Sequence, residues 1–453
     1  MGVVIQIGQL LLALSILIIL HEGGHFLFAR LFKTRVEKFY LFFDPWFSLF
    51  KVKKGETEYG IGWLPLGGYV KISGMIDESM DKEAMKQEPK PYEFRSKKAY
   101  QRLFIMVGGV LVNLLLGIVI YISIMAVWGQ KYLPVKNMTD GIWVVDSTLY
   151  DIGLRNGDKI VSINGTVPEV FGDILEEMLY AGEMVVDRNG EPVFITIPED
   201  LSGTLVDSRA LEGPLYYARM PFLISIIPDT SLNANIGLQV NDKVIGVNDV
   251  SFKYYDEYKS IADTMANTDI VLTIERAEEK LKLTAHLDEN GKIGVVAGIL
   301  DFSELEQLGY LKQETRDYTL LQAIPAGFGH AKEKLLKYIR QFKLIFNFKT
   351  GAYKGIGGFG AITGLFPQVW NWQVFWELTA FLSLMLAFLN ILPIPALDGG
   401  HVTFLLYEMI TGRKPSDKFL EYAQIVGMIL LLALLLYANG NDVYRWLSNL
   451  GGK

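Results

Sequence analysis

The chain has 453 residues, of which 50% are hydrophobic and 21% are charged, and its mean hydropathy is positive. It is too apolar for an ordinary soluble protein and too charged for one that lies wholly in a membrane, so we expect a few spans joined to soluble domains. The net charge of −7 gives no indication of nucleic-acid binding, and the absence of cysteine excludes disulfides and thiolate metal ligands.

Four apolar stretches are long enough to cross a bilayer, which takes about 20 residues. They cover residues 3–32, 103–128, 372–392 and 422–437, and the last is the shortest. The first stretch has no Lys or Arg before Arg30 and is longer than a signal-peptide core, so we expect it to remain as a span and not to be cleaved.

The first span contains the sequence His21-Glu22-Gly-Gly-His25, in a chain with only five histidines. On a helix, this spacing places two imidazoles on one face at the spacing of zinc ligands, and it places Glu22 where a general base is needed. Ionisable residues are costly inside a bilayer and mark functional sites there. The pattern therefore predicts a metal site within the membrane and not a chance match of residues.

Loop charges predict the orientation of the spans. Residues 30–102 contain fifteen Lys or Arg, and Arg413 and Lys414 lie between the third and fourth spans. The positive-inside rule assigns both loops to the cytoplasm, and it assigns the N-terminus, the region between spans two and three, and the C-terminus to the outside. Residues 331–346 are basic although they fall on the outer side, and their pattern is typical of an amphipathic helix that lies on a membrane surface.

The region between spans two and three is soluble in character and contains an internal repeat. Residues 152–160 recur as residues 236–244, and each copy is followed by a helical pattern and two strand patterns. The repeated segment resembles the Gly-Leu-x-x-Gly-Asp stretch of PDZ domains. Asn241 replaces Gly157 of the first copy, and asparagine tolerates the left-handed backbone of such a turn. PDZ domains bind extended peptides by strand addition, but the pair could equally bind no peptide and form a rigid cap.

A hydrolytic zinc keeps three protein ligands and one open position, so the two histidines need a partner. The candidate is Asp398, in the sequence Asn390-Ile-Leu-Pro393-Ile-Pro395-Ala-Leu-Asp398-Gly. The two prolines are expected to end the helix of the third span and to leave Asp398 in an irregular stretch, which is tolerated at membrane depth only where it lines a cavity. Spans one and three run in the same direction, so both motifs are expected near the cytoplasmic side.

Taken together, these motifs resemble the site-2 protease family. The resemblance rests on HExxH in the first span, Asn-x-x-Pro-x-Pro-x-Leu-Asp-Gly after the third, and a tandem PDZ insertion between spans two and three. It covers nearly the whole chain, and it is closest to the branch of Gram-negative bacteria that clears membrane-bound anti-sigma factors. It implies an intramembrane zinc endopeptidase in which His21, His25 and Asp398 hold one Zn²⁺ and Glu22 is the general base.

The resemblance also implies how substrate is held. Residues 59–73 match a membrane re-entrant β-hairpin, whose edge would add the unwound substrate as a strand. The substrate-binding residues of this edge would be Tyr69, Val70, Lys71 and Ile72. Asn390 matches an asparagine that contacts the substrate backbone, although read without the family it is a helix C-cap before the proline pair. Residues 108–113 match a Gly-x-x-x-Asn-like segment of span two, with Val110 where the family often has proline.

The predicted fold is a polytopic α-helical membrane protein with four transmembrane helices, a membrane re-entrant β-hairpin and two inserted PDZ-like, β-rich α+β domains. Residues 1–128 would hold spans one and two, and residues 372–453 spans three and four. Between them we expect PDZ-like domains at residues 129–215 and 216–300, and a linker with the amphipathic helix at residues 301–371.

Location and partners follow from the resemblance. It implies a multi-pass protein of the bacterial inner membrane, with the PDZ domains and both termini on the periplasmic side and the active site near the cytoplasmic side. Its partners would be the lipid bilayer and single-span membrane proteins, such as anti-sigma factors or remnant signal peptides, trimmed beforehand by another protease. No nucleic acid is expected as a partner.

Two other classes of protein compete with this interpretation. One is a catalytically silent membrane scaffold whose PDZ pair binds partners, but an intact Glu22 argues against it because a scaffold does not need that carboxylate. The other is a metal transporter, but the chain lacks repeated spans with paired polar residues.

Overall fold

The computed structural model describes residues 1–75, 88–208 and 213–451. Numbered in chain order, the described helices are α1 (Gly2–Leu31), α2 (Ala99–Trp128), α3 (Ser147–Asp151), α4 (Asp173–Met178), α5 (Leu201–Asp207), α6 (Tyr255–Ala262), α7 (Phe302–Gln307), α8 (Leu320–Phe346), α9 (Phe359–Leu365), α10 (Trp372–Ile391), α11 (Asp398–Thr411) and α12 (Asp417–Gly451). Short 3-10 helices lie at Phe94–Ser96, Val135–Asn137, Phe348–Thr350 and Ala352–Gly355.

The described strands are numbered in the same way. They are β1 (Val36–Leu41), β2 (Phe43–Lys54), β3 (Thr57–Leu64), β4 (Tyr69–Ile72), β5 (Gln130–Tyr132), β6 (Ile142–Val144), β7 (Lys159–Ile163), β8 (Gly182–Arg188), β9 (Glu191–Ile197), β10 (Tyr216–Ala218), β11 (Phe222–Ile226), β12 (Lys243–Val247), β13 (Val250–Ser251), β14 (Asp269–Arg276), β15 (Glu279–His286), β16 (Val296–Ala297) and β17 (Glu314–Arg316).

The chain divides into two compact units. The first comprises Met1–Gly129, Asp317–Lys343 and Ile356–Lys453, and it contains the long apolar helices and β1–β4. The second comprises Gln130–Arg316 and Leu344–Gly355, and it contains the remaining strands.

Four helices of the described chain are long and apolar enough to cross a membrane. They are Gly2–Leu31, Ala99–Trp128, Trp372–Ile391 and, within α12, Lys418–Ser448. The prediction of four spans in a membrane protein with β-rich parts is therefore confirmed. The fourth helix is much longer than its apolar stretch, because polar residues after Tyr437 continue the helix.

Within the first unit, α2 is the central helix. It packs against α1, α10 and α11, and small residues allow the closest approaches. A Cβ on Gly24 of α1 would overlap the carbonyl of Gly108, so only glycine permits the two backbones to meet there. α12 is packed far more sparsely, since its only buried residues among those described are Gln424, Gly427 and Ala438.

Beside α1, the strands β1–β4 form a sheet in the order β2-β3-β1-β4. β1 pairs with β3 in parallel and with β4 antiparallel, whereas β2 and β3 form an antiparallel pair. The predicted hairpin of residues 59–73 is thus wrong in its pairing, because β1 lies between β3 and β4 and the intervening chain crosses over it. β1 has only six residues, Val-Glu-Lys-Phe-Tyr-Leu, and it was not predicted as a strand from the sequence. The structure makes β4 an edge strand.

The proline pair ends the third span as predicted, since α10 stops at Ile391. Asp398 was expected in an irregular stretch, and this was wrong: it is the first residue of α11. Ala396 has φ of 75°, a left-handed conformation that turns the chain and lets a new helix begin at once. A carboxylate in the first turn of a helix is also favoured by the helix dipole.

The predicted amphipathic helix is present and longer than expected, since α8 begins at Leu320. One face packs within the first unit. The ring of His330 lies 5.0 Å from that of Tyr121 on α2, and the ring of Tyr338 lies 5.7 Å from Phe381 and from Phe388 on α10.

The second unit has two hydrophobic cores. One is formed by residues between Leu133 and Met220 together with Leu305, and the other by residues between Phe222 and Ile293. The strands β7-β8-β9 belong to the first, and a sheet in the order β15-β14-β12-β11-β16 belongs to the second. β5 and β17 pair at the two ends of the insertion, with Tyr132 opposite Glu314.

The repeat in the sequence corresponds to a repeated ion pair. Asp158 and Asp242 are both buried, and each carboxylate accepts from one arginine, Arg188 or Arg276, at 2.7 Å. The turn before each aspartate is left-handed, with φ of 85° at Gly157 and 73° at Asn241. The asparagine of the second copy thus adopts the backbone that glycine adopts in the first.

Candidate active site

The HExxH segment lies within α1 and presents both histidines to the same point. Nε2 of His21 and Nε2 of His25 are 3.2 Å apart, and the two rings meet edge to face. This is the arrangement that positions i and i+4 of a helix impose. His25 is buried and His21 is half-buried.

Asp398 completes a triangle with the two histidines. Its Oδ2 lies 3.2 Å from Nε2 of His21 and 3.4 Å from Nε2 of His25. Atoms bound at about 2.0–2.1 Å to a tetrahedral zinc lie about 3.3 Å from one another, so the three edges fit that geometry. Oδ2 is buried and makes no hydrogen bond within the described residues. A buried carboxylate without such a partner is costly, and a cation would compensate it.

Glycine in α2 makes room for these rings. A Cβ on Gly109 would lie 2.5 Å from Nε2 of His25 and 2.7 Å from Cε1 of His21. Such contacts are shorter than van der Waals distances, so any larger residue would displace the imidazoles. The sequence matched the Gly108-Gly109 pair to a segment of span two. Gly108 permits the close contact with α1, and Gly109 leaves space for the two imidazoles.

Two groups outside the triangle orient the histidines. One is a backbone carbonyl and the other is a side-chain amide. The carbonyl of Ile105 lies 2.8 Å from Nδ1 of His25, and the amide of Asn113 lies 3.2 Å from Nδ1 of His21. When Nδ1 donates its proton, Nε2 keeps the lone pair that a metal requires. Asn113 is fully buried, and its Oδ1 makes no hydrogen bond to any part of the chain that the structure describes. Rotating the amide turns Oδ1 to accept from Nδ1–H of His21, which satisfies both groups.

A cavity of about 430 Å³ opens over the triangle. His21, Glu22, His25 and Asp398 line it, and so do all four residues of β4, Tyr69–Ile72. Glu22 lies against the start of β4, since a Cβ on Gly68 would lie 3.4 Å from its Cγ. The structure therefore brings the predicted metal ligands, the predicted base and the predicted strand edge into one cavity.

Asn390 differs from the other predicted site residues. It lies in the last turn of α10, half-buried, and is not among the described residues that line the cavity.

Sequence reasoning missed one residue of the site, Gln424, and did not predict the role of another, Asn113. Asn113 carried a signal, because a polar amide stands in an otherwise apolar span, but its partner was not apparent. Gln424 lines the cavity from α12. It stands inside the fourth apolar stretch, where a polar residue is a functional signal by default.

Comparison with known proteins identifies the family. The sequence model of Peptidase family M50 matches residues 9–434. The chain belongs to this family, and it is a metallopeptidase that carries out intramembrane proteolysis. The silent scaffold and the metal transporter are thereby set aside.

Individual relatives agree with the assignment. The chain is 26% identical over 464 residues to the regulator of sigma E protease of Haemophilus influenzae, covering 97% of this chain and 99% of that protein. It is 27% identical over 442 residues to a Rickettsia conorii protein and 28% identical over 444 residues to one from Campylobacter jejuni, whose names both contain the words zinc metalloprotease. These two alignments cover 97% and 96% of this chain, and 98% and 92% of the relatives.

Proposed function

We propose that the protein is a zinc endopeptidase that cleaves transmembrane segments of single-span membrane proteins, with one Zn²⁺ held by His21, His25 and Asp398. The observation that carries the proposal is the triangle of ligand atoms, whose edges of 3.2–3.4 Å suit a tetrahedral ion and leave one position open to the cavity. Zinc, when bound, acts as a Lewis acid that polarises a peptide carbonyl and makes water more acidic.

Glu22 would be the general base. Its carboxylate lines the cavity next to both histidines, and it is not one of the three atoms that form the triangle. A carboxylate so placed can take the proton of the attacking water and deliver it to the leaving nitrogen. Ile105 and Asn113 hold the two imidazoles during this cycle.

The substrate would be bound as an extended strand along β4. A transmembrane helix hides its scissile carbonyl in its own hydrogen bonds, so it must unwind before hydrolysis. β4 is an edge strand whose residues line the cavity, and an edge strand can pair with an incoming extended segment. Tyr69 is fixed there by donating from its hydroxyl to Asp44 at 2.9 Å.

We also propose that the sheet of β1–β4 re-enters the membrane beside α1. A Cβ on Gly68 would lie 2.6 Å from Ile18, a residue in the middle of the apolar helix. The turn at the start of β2 exposes large apolar side chains, and Trp46 is 91% exposed. The other end of β2 carries three lysines, Lys51, Lys53 and Lys54. Apolar side chains followed by lysines suit a strand that passes from the hydrocarbon of the bilayer to the lipid headgroups.

The second unit would contain two PDZ-like domains that filter substrates on the periplasmic side of the inner membrane. Its two cores and the repeated Asp–Arg pair support the tandem assignment. The name of the Haemophilus relative supports membrane-bound anti-sigma factors as substrates. Since the insertion lies between spans two and three, we expect it to admit proteins already trimmed by another protease and to reject those with a bulky outer domain.

The test uses purified full-length protein and a model single-span substrate in proteoliposomes. Cleavage should stop with a chelator and return with added Zn²⁺. Glu22→Gln should retain the metal but lose about 10² to 10⁴ in rate, because the amide cannot accept a proton. Cleavage that persists without metal, or near-normal turnover by the variant, would overturn the proposal.

A further inference from the structure

We propose that Gln424 of α12 hydrogen-bonds the backbone of the unwound substrate, on the edge that faces away from β4. The inference rests on the proposed function and deepens it by naming a second backbone-recognition group. That group comes from the fourth span, an element to which no substrate contact has so far been assigned.

The position of Gln424 is unusual for α12. Most side chains of this helix are exposed, but Gln424 is only 9% exposed. It lines the same cavity as His21, Glu22 and β4. Its amide makes no hydrogen bond within the part of the chain that the structure describes. A polar group inside a membrane span, buried and turned to a cavity without a partner, is the kind that a ligand satisfies.

Gly427 determines where Gln424 lies. It lies one turn beyond Gln424 and is buried. A Cβ there would overlap the carbonyl of Pro395, so α12 touches the turn that precedes Asp398 at this point. The contact docks α12 beside the metal ligands and brings Gln424 to the cavity wall.

An extended substrate needs such a group. Pairing with β4 satisfies only one edge of the added strand, because N–H and C=O groups alternate between its two edges. On the other edge, unsatisfied backbone groups are costly in a site that excludes bulk water. A glutamine amide offers both an acceptor and donors, so one side chain can pair with a C=O and with an N–H.

The other polar groups of the cavity have other roles. In the proposed function, His21, His25 and Asp398 hold the metal and Glu22 transfers the proton. Tyr69 donates to Asp44, and His401, which also lines the cavity, has an interaction of its own. Lys71 and Lys38 pair with Glu37 and Glu58 in the sheet. Asn390, the residue that the sequence suggested for backbone recognition, does not line the cavity.

The experiment compares wild-type protein with Gln424→Met, which keeps the length of the side chain and removes its hydrogen bonds. Leu430→Met is the matched control, because Leu430 is an exposed residue of the same helix. We expect normal zinc content in both variants and a loss of about 3- to 10-fold in kcat/KM for Gln424→Met alone, the effect of one hydrogen bond.

A substrate series separates recognition from a structural role. Single backbone amides around the scissile bond are replaced by esters, which deletes one N–H at a time. If Gln424 accepts from the substrate, one ester should slow the wild-type enzyme and should have no further effect on Gln424→Met. If Gln424 instead donates to a substrate carbonyl, the ester that weakens that carbonyl as an acceptor should slow the wild-type enzyme. The same ester should have no further effect on Gln424→Met.

The outcomes are distinguishable. Unchanged kcat/KM in Gln424→Met, loss of zinc, or ester effects identical to wild type at every position would overturn this inference while leaving the proposed function intact. If wild-type cleavage does not depend on zinc and Glu22, the proposed function itself fails and this inference fails with it.

Discussion

The amide of Asn113 in α2 lies 3.2 Å from Nδ1 of His21 in α1, and both residues lie inside apolar helices. The contact links the two spans at the level of the candidate metal. It also determines which nitrogen of His21 is available, because an acceptor at Nδ1 fixes the proton there. Ser383 of α10 donates to the carbonyl of the same asparagine at 2.7 Å, so three helices meet at Asn113.

Asn113→Leu should lower zinc affinity by about 10- to 100-fold, because His21 loses the partner that holds its tautomer and ring orientation. Asn113→Asp is the control, since it keeps an oxygen acceptor for Nδ1–H. Competition titration with a chelator measures both affinities. Equal affinity in the leucine variant and the wild type would show that the contact does not orient the ligand.

Gly109→Ala should impair cleavage by about 10²-fold, since a displacement of about 1 Å at a catalytic centre has effects of this size. The new methyl group would lie within 2.7 Å of both imidazoles. Gly23→Ala is a suitable control, because a Cβ at Gly23 meets nothing within 4 Å although it lies in the HExxH segment itself. Turnover and zinc content of the two variants are compared, and similar values would remove the steric role of Gly109.

Val70→Pro should lower kcat/KM by about 5- to 10-fold through loss of one backbone donor. The N–H of Ser73 donates to the carbonyl of Arg35, so alternation along β4 turns the N–H of Val70 away from β1 and towards the cavity. Val70→Ala retains the N–H and should be mild. Circular dichroism and zinc content verify folding. A folded proline variant with wild-type kinetics would exclude strand addition at this position.

Removal of the second unit should widen the range of substrates. β5 and β17 begin and end the main segment of this unit and pair with each other, so residues 133–313 can be replaced by a short turn that joins Tyr132 to Glu314, while residues 344–355 are retained. We expect the shortened protein to bind zinc and to cleave substrates that keep a bulky outer domain as fast as trimmed ones. If it remains folded but no longer cleaves trimmed substrates, the unit recruits substrate and does not filter it.

The sequence predicted the elements with a strong local signal and missed those that depend on distant partners. The apolar runs, the HExxH spacing and the proline pair are local, and the spans, the paired imidazoles and the end of α10 followed from them. β1 was missed because it is only six residues long and its place in the sheet depends on β3 and β4, which follow it in the chain and pair on either side of it.

The details of the site could not be predicted from local sequence, because they depend on the three-dimensional structure. That Asp398 begins a new helix depends on the left-handed turn at Ala396, for which alanine gives no signal. Gln424 is an amide in an apolar helix, and local sequence cannot say that it faces the cavity. Packing decides it, through the contact of Gly427 with Pro395.

The candidate metal ligands are far apart in the sequence, with His21 and His25 in α1 and Asp398 at the start of α11. During synthesis, the two histidines enter the membrane long before the aspartate is translated. A ribosome that stalls anywhere before α11 therefore leaves a polypeptide with only two of the three ligands in the bilayer. The order of these residues in the chain means that the candidate metal site can be completed only after α11 has been made.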